Sequence, residues 1–194
     1  ATGAIERPLV FANNDRPGVM LASAVSAYLN RYGVRIAQRA VVFTNNDSAY
    51  RTALDLAAAG VAVAAVVDVR RAPQAELAER ARKAGIAVIP NAAVVDVEGA
   101  KRVRAVRVMP LAPQGAGVAG PSTDIECDLL AVSGGWSPAV HLHAQSGGRP
   151  RYAEGMGCFV PGVSVQAERS AGACNGSYAL GECLAEGAAA GAEA

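Results

Sequence analysis

Residues 40–68 read AVVFTNNDSAYRTALDLAAAGVAVAAVVD, and their pattern is the clearest indication of fold in the chain. The apolar residues 40–43 and 61–67 predict two buried strands. Residues 48–59 between them predict a helix, which Gly60 ends. Parallel strands need a crossover of this length, whereas antiparallel strands can be joined by a short turn. The stretch therefore predicts a βαβ unit and an α/β fold built on a parallel sheet.

The flanking segments extend this unit. Strong apolar character without alternation predicts strands that are buried on both sides, so we expect a parallel sheet with helices on both faces. Glycine and proline divide the remaining chain into short elements. We predict helices over 19–32 (ended by Gly33), 73–84 and 178–192, strands over 86–89 and 124–132, and a hairpin formed by 94–97 and 103–108 around Glu98-Gly99-Ala100.

The turn after the first strand is a candidate nucleotide site. Aligned with the phosphate-binding pattern G-x-G-x-x-G it reads TNNDSA and contains no glycine. Asn45 and Asn46 tolerate positive φ, and Asp68 ends the second strand where a carboxylate can bind a ribose hydroxyl. However, the Cβ atoms and the Asp47 carboxylate would crowd and repel a pyrophosphate. Two interpretations stay open: a nucleotide site at these residues, or a helix start capped by Asp47 or Ser48.

Composition excludes several functional classes. The chain has 194 residues, 18% of them charged, and a net charge of +1, which argues against nucleic acid or an anionic membrane as the main partner. The apolar run 56–67 contains Gly60 and is shorter than the about 20 residues of a spanning helix. The four cysteines form no C-x-x-C pair, and no secretion signal is visible. We therefore expect a soluble cytoplasmic protein with reduced thiols.

The polar residues give no catalytic or metal site. His141 and His143 lack partner ligands at metal-binding spacing, and we interpret them as exposed loop residues. Arg70 and Arg71 could favour a ribose 2′-phosphate, although an arginine pair in a surface loop is usually only solvated. The choice between NAD and NADP stays open. No Ser-His-Asp or Cys-His arrangement has a specific spacing, so we predict no catalytic residue.

Four stretches give the chain a family resemblance. They read ATGAIERP at 1–8, NDRPGVM at 14–20, VFTNNDSAY at 42–50 and GGWSP at 134–138. Together they resemble the α-subunits of heterotetrameric sarcosine oxidases and the related opine oxidase and cyanide synthase subunits. The resemblance covers essentially the whole chain. The turn without glycine and the GGWSP segment are its most specific parts.

The resemblance implies that one dinucleotide-binding domain is inserted into another. Residues 36–123 would form the inserted NAD-binding-like (Rossmann-like) domain. Residues 1–35 and 124–194 would be the remainder of the interrupted FAD/NAD-type domain. Its opening βαβ unit would precede Ala1, so we expect a piece of a longer polypeptide.

Because that unit would cover apolar surface, we also expect the isolated chain to self-associate or to have weakly protected flanking segments. Hydrogen exchange tests this expectation, because equal protection of 124–132 and 40–67 in a monomer would contradict it.

The same resemblance implies the positions of cofactor contacts. The glycine junctions at which the chain leaves and re-enters the interrupted domain would lie near the cofactor, and they contain Thr2, Gly3, Gly134 and Gly135. Two-domain flavoproteins commonly carry a Gly-Asp pair before their last helix, with the carboxylate on the flavin ribityl chain. The matching pair here is Gly172-Ala173, so the acidic ligand is missing. We therefore expect NAD in place of flavin, with the backbone at these two residues near the nucleotide.

The activity implied is oxidative demethylation of sarcosine to glycine with formation of hydrogen peroxide. The α-subunit would hold NAD, while FAD and FMN belong to the complex and are not expected on this chain alone. The implied partners are the β, γ and δ subunits. Two alternatives stay open: a pyridine-nucleotide-dependent flavoprotein reductase or opine/amino-acid oxidase subunit, and a non-catalytic interaction module.

Overall fold

The computed structural model describes residues 2–113 and 115–193. They divide into two compact units, a larger one over residues 8–135 and a smaller one over residues 2–7 with 136–193. In chain order the elements are β1 (Ala4–Glu6), β2 (Val19–Leu21), α1 (Ala22–Tyr32), β3 (Arg39–Thr44), α2 (Ser48–Ala58), β4 (Ala62–Asp68), α3 (Ala75–Lys83), β5 (Ala87–Pro90), β6 (Ala92–Glu98), β7 (Ala105–Pro110), β8 (Thr123–Glu126), β9 (Leu129–Ser133), β10 (Trp136–Pro138), α4 (His141–Gln145), β11 (Arg151–Ala153), β12 (Cys158–Val160) and α5 (Leu180–Ala192), with 3-10 turns at Glu154–Met156 and Gly172–Asn175.

The larger unit is built on a parallel sheet of five strands in the order β2-β9-β3-β4-β5. At its centre Val42 of β3 lies opposite Val66 of β4 on one side and Ala131 of β9 on the other. The predicted βαβ unit is therefore present as β3, α2 and β4. The α/β dinucleotide-binding fold predicted from the sequence is confirmed.

The two faces of this sheet are covered differently, because successive side chains of a strand point to opposite faces. Ala40 and Val42 pack with residues of α1, α2 and α3 in one core, for example Val25 and Leu56. Val41 and the other alternate residues pack with β6 and β7 in a second core. The expectation of helices on both faces was wrong, since the antiparallel sheet β6-β7-β8 covers the second face.

Two predicted elements are divided differently in the structure. Residues 19–21 form the edge strand β2 beside β9, so the first helix begins at Ala22. It ends before Gly33, the predicted stop, which has a positive φ of 66°. The predicted strand over 124–132 is two strands in two sheets, because β8 pairs with β7 and β9 pairs with β3.

These strand pairings also place residues 8–35 and 124–135 in the same compact unit as residues 36–123. The assignment of the units to the domains of the family stays a prediction.

The smaller unit contains two antiparallel strand pairs, β1 with β10 and β11 with β12. The short helix α4 lies between these pairs in the chain, and the unit ends with α5. No residue of α5 is buried among the described residues. The apolar side chains of Leu180 and Leu184 on this helix are largely exposed.

Within the described residues, no helix combines the length and apolar character that crossing a bilayer requires. All four cysteines are free, and Cys127, Cys158 and Cys174 are buried. Burial, together with the nearby Asp128 charge, raises the pKa of the Cys127 thiol to about 12. This thiol is therefore protonated and unreactive at neutral pH.

Candidate functional site

The carboxyl edge of the parallel sheet holds the first group of predicted site residues. The order of the strands reverses between β3 and β9, and open α/β sheets bind ligands at such a switch point. β3 ends at Thr44, opposite Ser133 of β9. Beyond that pair, the Asn45 backbone N–H donates to the Ser133 carbonyl over 3.3 Å, and the Asn45 amide donates to the Gly134 carbonyl over 3.3 Å. The next residue, Gly135, adopts a positive φ of 87°.

Asn46 occupies the start of α2. Its Oδ1 accepts hydrogen bonds from the Ser48 backbone N–H at 3.1 Å and from the Ser48 hydroxyl at 2.6 Å. Its Nδ2 donates to Ser133 Oγ at 2.9 Å. Asp47 stands at the predicted N-cap position of α2, but its side chain makes no capping hydrogen bond. The Asn46 amide therefore takes a helix N–H that a phosphate would otherwise bind.

Asp68 ends β4 and is fully buried. Its Oδ2 accepts from the Tyr50 hydroxyl at 3.0 Å and from the Arg70 guanidinium at 2.8 Å. Its Oδ1 accepts from the Arg70 backbone N–H at 2.9 Å and from Arg70 Nε at 3.1 Å. Burial and the Asp68 charge raise the pKa of Tyr50, so the phenol stays protonated. The carboxylate predicted to bind a ribose hydroxyl is therefore occupied by protein donors.

Arg70 connects this carboxylate to the start of α2. Its guanidinium lies 2.7 Å from Asp47 Oδ1 as well as against Asp68. Burial opposes its charge, but the hydrogen bonds to both carboxylates prevail and raise the pKa of Arg70. In this arrangement both carboxylates occupy the Arg70 guanidinium, while Arg71 is exposed. The network of Tyr50, Asp68, Arg70 and Asp47 thus ties α2 to β4.

The second group of predicted site residues lies in the smaller unit. The Thr2 hydroxyl donates to the Ala139 carbonyl at 2.9 Å, and the Ala139 N–H donates to the Gly3 carbonyl at 3.0 Å. Gly3 has a positive φ of 74°, and a Cβ there would meet nothing within 4 Å. Thr2 also lines a cleft of about 630 Å³, together with residues of 167–171 and of α5. The cleft is large enough to hold part of a dinucleotide.

Gly172 and Ala173 begin the 3-10 turn of this unit, and Gly172 is buried. Gly172 has a positive φ of 71° and donates its N–H to Glu186 Oε2 at 2.8 Å. The same carboxylate accepts from the Ser177 hydroxyl and, at 3.3 Å, from Asn175. A carboxylate thus lies beside the pair where flavoproteins place their acid, but protein donors occupy it.

His143 is buried, so its interpretation as an exposed loop residue was wrong, whereas His141 is exposed. His143 Nδ1 lies 2.9 Å from Glu168 Oε1, and Nε2 accepts from the Gly162 backbone N–H at 3.1 Å. Because Nε2 accepts, the ring is neutral and carries its proton on Nδ1. The hydrogen bond from His143 in turn lowers the pKa of Glu168. Both ring nitrogens are held by hydrogen bonds within the protein. The His143–Glu168 pair therefore fixes α4, and His143 is not available as a general base.

The close packing of the His143 ring gives a stability prediction. A Cβ at Gly148 would lie 2.3 Å from Cε1 of the ring, which is buried and held by two hydrogen bonds. We expect Gly148→Ala to lower the free energy of unfolding by about 2–3 kcal/mol, as other overpacked sites do. Urea denaturation followed by circular dichroism measures the change. Gly155→Ala is the control, because a Cβ there would meet nothing within 4 Å. Equal stability of the two variants would contradict this packing.

The described residues contain no group of three His, Cys, Asp or Glu side chains that could hold a metal ion. Sequence reasoning missed the partners Tyr50, Glu168 and Glu186, which lie 18, 25 and 14 residues from the groups that they bind. One signal was available, because Arg70 follows Asp68 by two residues and can close on it locally.

Comparisons with known proteins place this geometry in context. The chain is 46% identical over its whole length to the sarcosine oxidase α-subunit of Corynebacterium sp. (strain P-1), of which it covers 20%. Over 97% of its length it is 40% identical to the sarcosine oxidase α-subunit of Rhizobium meliloti (strain 1021), of which it covers 18%. The chain thus spans about one fifth of the length of these curated relatives. The resemblance to sarcosine oxidase α-subunits is confirmed. No protein-family model matches the chain.

Solved structures show the same fold at low sequence identity. The match to thioredoxin reductase of T. acidophilum covers 97% of this chain and 60% of the reductase chain, with a TM-score of 0.70 and 17% sequence identity. A second match is to a FAD-dependent pyridine nucleotide-disulphide oxidoreductase from Desulfovibrio vulgaris. It covers 85% of this chain and 45% of that chain, with a TM-score of 0.56 and 18% sequence identity. These matches establish the fold.

Proposed function

We propose that this chain is the central region of a sarcosine oxidase α-subunit and holds NAD without performing the redox step. The observation that carries this proposal is the 46% identity along the entire chain to a sarcosine oxidase α-subunit. In the proposed complex the chain supports oxidative demethylation of sarcosine to glycine with formation of hydrogen peroxide. The redox step lies with the FAD and FMN of the complex, and the β, γ and δ subunits are the partners.

Two features of the smaller unit support NAD as the nucleotide. Ala173 stands where flavoproteins carry a carboxylate, and the neighbouring Glu186 carboxylate is bound to protein donors. Thr2, Gly3, Gly172 and Ala173 are the proposed NAD contacts, because they stand at the family's cofactor positions and both glycines have positive φ and no Cβ. At the other predicted contacts, Asn45, Asn46, Gly134 and Gly135, a nucleotide would have to displace the Asn46 amide from the start of α2.

The activity test compares this chain with the full complex. The 194-residue chain should be colourless and should oxidise neither sarcosine nor NADH, because Ala173 stands where flavoproteins carry the carboxylate for flavin and the described residues contain no group that could hold a metal ion. The full-length subunit, coexpressed in the cytoplasm with its partner subunits, should produce hydrogen peroxide with sarcosine.

A yellow preparation of the chain alone that turns over would contradict the proposal. A full complex that oxidises NADH but not sarcosine would favour the reductase alternative.

A further inference from the structure

The turn over residues 172–177 is fastened to α5 by one carboxylate. Glu186 accepts the Gly172 backbone N–H at 2.8 Å, the Asn175 amide at 3.3 Å and the Ser177 hydroxyl. These donors come from the beginning, the middle and the end of the turn. A single side chain therefore fixes the whole turn, and hydrogen bonds to a charged acceptor are stronger than neutral ones.

Further contacts close the same turn. The Ser177 N–H donates to the Gly172 carbonyl at 3.2 Å, so the turn is bonded across its ends. The Cys183 thiol donates to the Ser177 carbonyl at 3.0 Å. Cys183 precedes Glu186 by three residues, which places both side chains on one face of α5. Gly176 has a positive φ of 95°, and a Cβ there would lie 3.1 Å from the end of Met156.

We infer that Glu186 is a positioning residue for NAD. Its bonds to Gly172, Asn175 and Ser177 fix the turn in one conformation, and Ala173, which takes part in none of these bonds, is the residue of the turn that receives the nucleotide. This inference rests on the proposed function. Glu186 acts through the turn and not by direct contact, since three protein donors already take up most of the acceptor capacity of its carboxylate. A turn that is ordered before binding does not lose conformational entropy when NAD arrives, so its affinity is higher than that of a loose turn.

The protonation state agrees with this role. The hydrogen bonds from Ser177, Gly172 and Asn175 lower the pKa of Glu186 below its ordinary value of 4.5. The carboxylate is therefore ionised at neutral pH and accepts from all three donors. Without it, the Gly172 N–H would have no acceptor in α5, and the turn would be held to the helix by the weak thiol donor of Cys183.

The test uses the full-length subunit with Glu186→Ala, Glu186→Gln and the control Glu182→Ala. Glu182 lies on the same helix and is exposed. After gel filtration, NAD released by heating is counted per subunit, and its dissociation rate is measured. We expect Glu186→Ala to release NAD at least about tenfold faster than the native subunit. Glu186→Gln keeps one acceptor oxygen and should recover most of the bound NAD, while Glu182→Ala should match the native subunit.

Hydrogen exchange separates local positioning from general misfolding. In Glu186→Ala, faster exchange should be confined to residues 172–177, with the parallel sheet protected as in the native subunit. If Glu186→Ala does not fold, Ser177→Ala is tested in its place. It removes one of the three donors to the Glu186 carboxylate and should also release NAD faster. Native NAD release by a folded Glu186→Ala, or by Ser177→Ala if Glu186→Ala does not fold, would overturn the inference and leave the proposed function intact. A native full-length subunit without NAD would overturn both.

Discussion

Asp68→Ala should lower the free energy of unfolding of this chain by about 3 kcal/mol. The substitution removes a fully buried carboxylate that accepts from the Tyr50 hydroxyl and from three Arg70 donors. Breaking a buried pair on one side costs about 3–5 kcal/mol. We place the effect at the lower end because Arg70 is partly exposed and keeps Asp47 as a partner. Urea denaturation followed by circular dichroism measures the loss.

Two variants in the same network calibrate this result. Tyr50→Phe removes one hydrogen bond and leaves Asp68 paired with Arg70, so it should cost about 1 kcal/mol. Asp47→Ala breaks the ion pair with Arg70, in which the Asp47 side chain is 42% exposed. It should lower the free energy of unfolding by at most about 1 kcal/mol. An Asp68→Ala chain as stable as Asp47→Ala would show that the buried network does not hold α2 to β4.

The second large effect concerns nucleotide affinity at the start of α2. The unmodified chain should bind NAD there with a dissociation constant of about 1 mM or weaker. Two features oppose a phosphate: the Asn46 amide occupies the Ser48 N–H, and the Asp47 carboxylate adds a repelling charge. The double variant Asn46→Gly, Asp47→Gly removes both and should improve the affinity at least about tenfold. Isothermal titration calorimetry on the 194-residue chain gives both constants.

The matched control for this experiment is Asp15→Gly. It also removes a carboxylate and a Cβ from the larger unit, but it is exposed and lies outside the turn that begins α2. Its NAD affinity should remain close to that of the unmodified chain. Micromolar binding by the unmodified turn would contradict the blocking role of Asn46.

The parallel sheet was predictable because its signal is local. The strands over 40–43 and 61–67 are continuous apolar runs with a helix between them, and glycines mark where the helices end. The element that covers the second face of the parallel sheet was not predictable from a local signal. Residues 94–97 and 103–108 were identified as a hairpin, but whether a hairpin packs on a sheet depends on contacts distant in sequence.

The candidate site was predictable in position but not in its hydrogen bonding. The sequence places Asn46 and Asp68 at the carboxyl ends of strands, which is where they lie. It does not show that Asn46 turns back onto Ser48, or that Tyr50 from the next helix reaches Asp68. The His143 prediction was wrong for a similar reason, since Glu168 and Gly162, which hold its ring in the interior, follow in a loop with no periodic pattern.

The most direct test of the account is an inventory of the nucleotides held by the full-length subunit that contains this chain. The purified subunit is denatured, and the released small molecules are identified and quantified by mass spectrometry. We predict about one NAD per subunit and no flavin retained through Gly172 and Ala173, because the carboxylate that a flavin diol requires is absent from position 173. Loss of the NAD when Glu186 is substituted would show that the nucleotide is bound at the turn over 172–177. A subunit that releases FAD in place of NAD, or no nucleotide, would contradict the account.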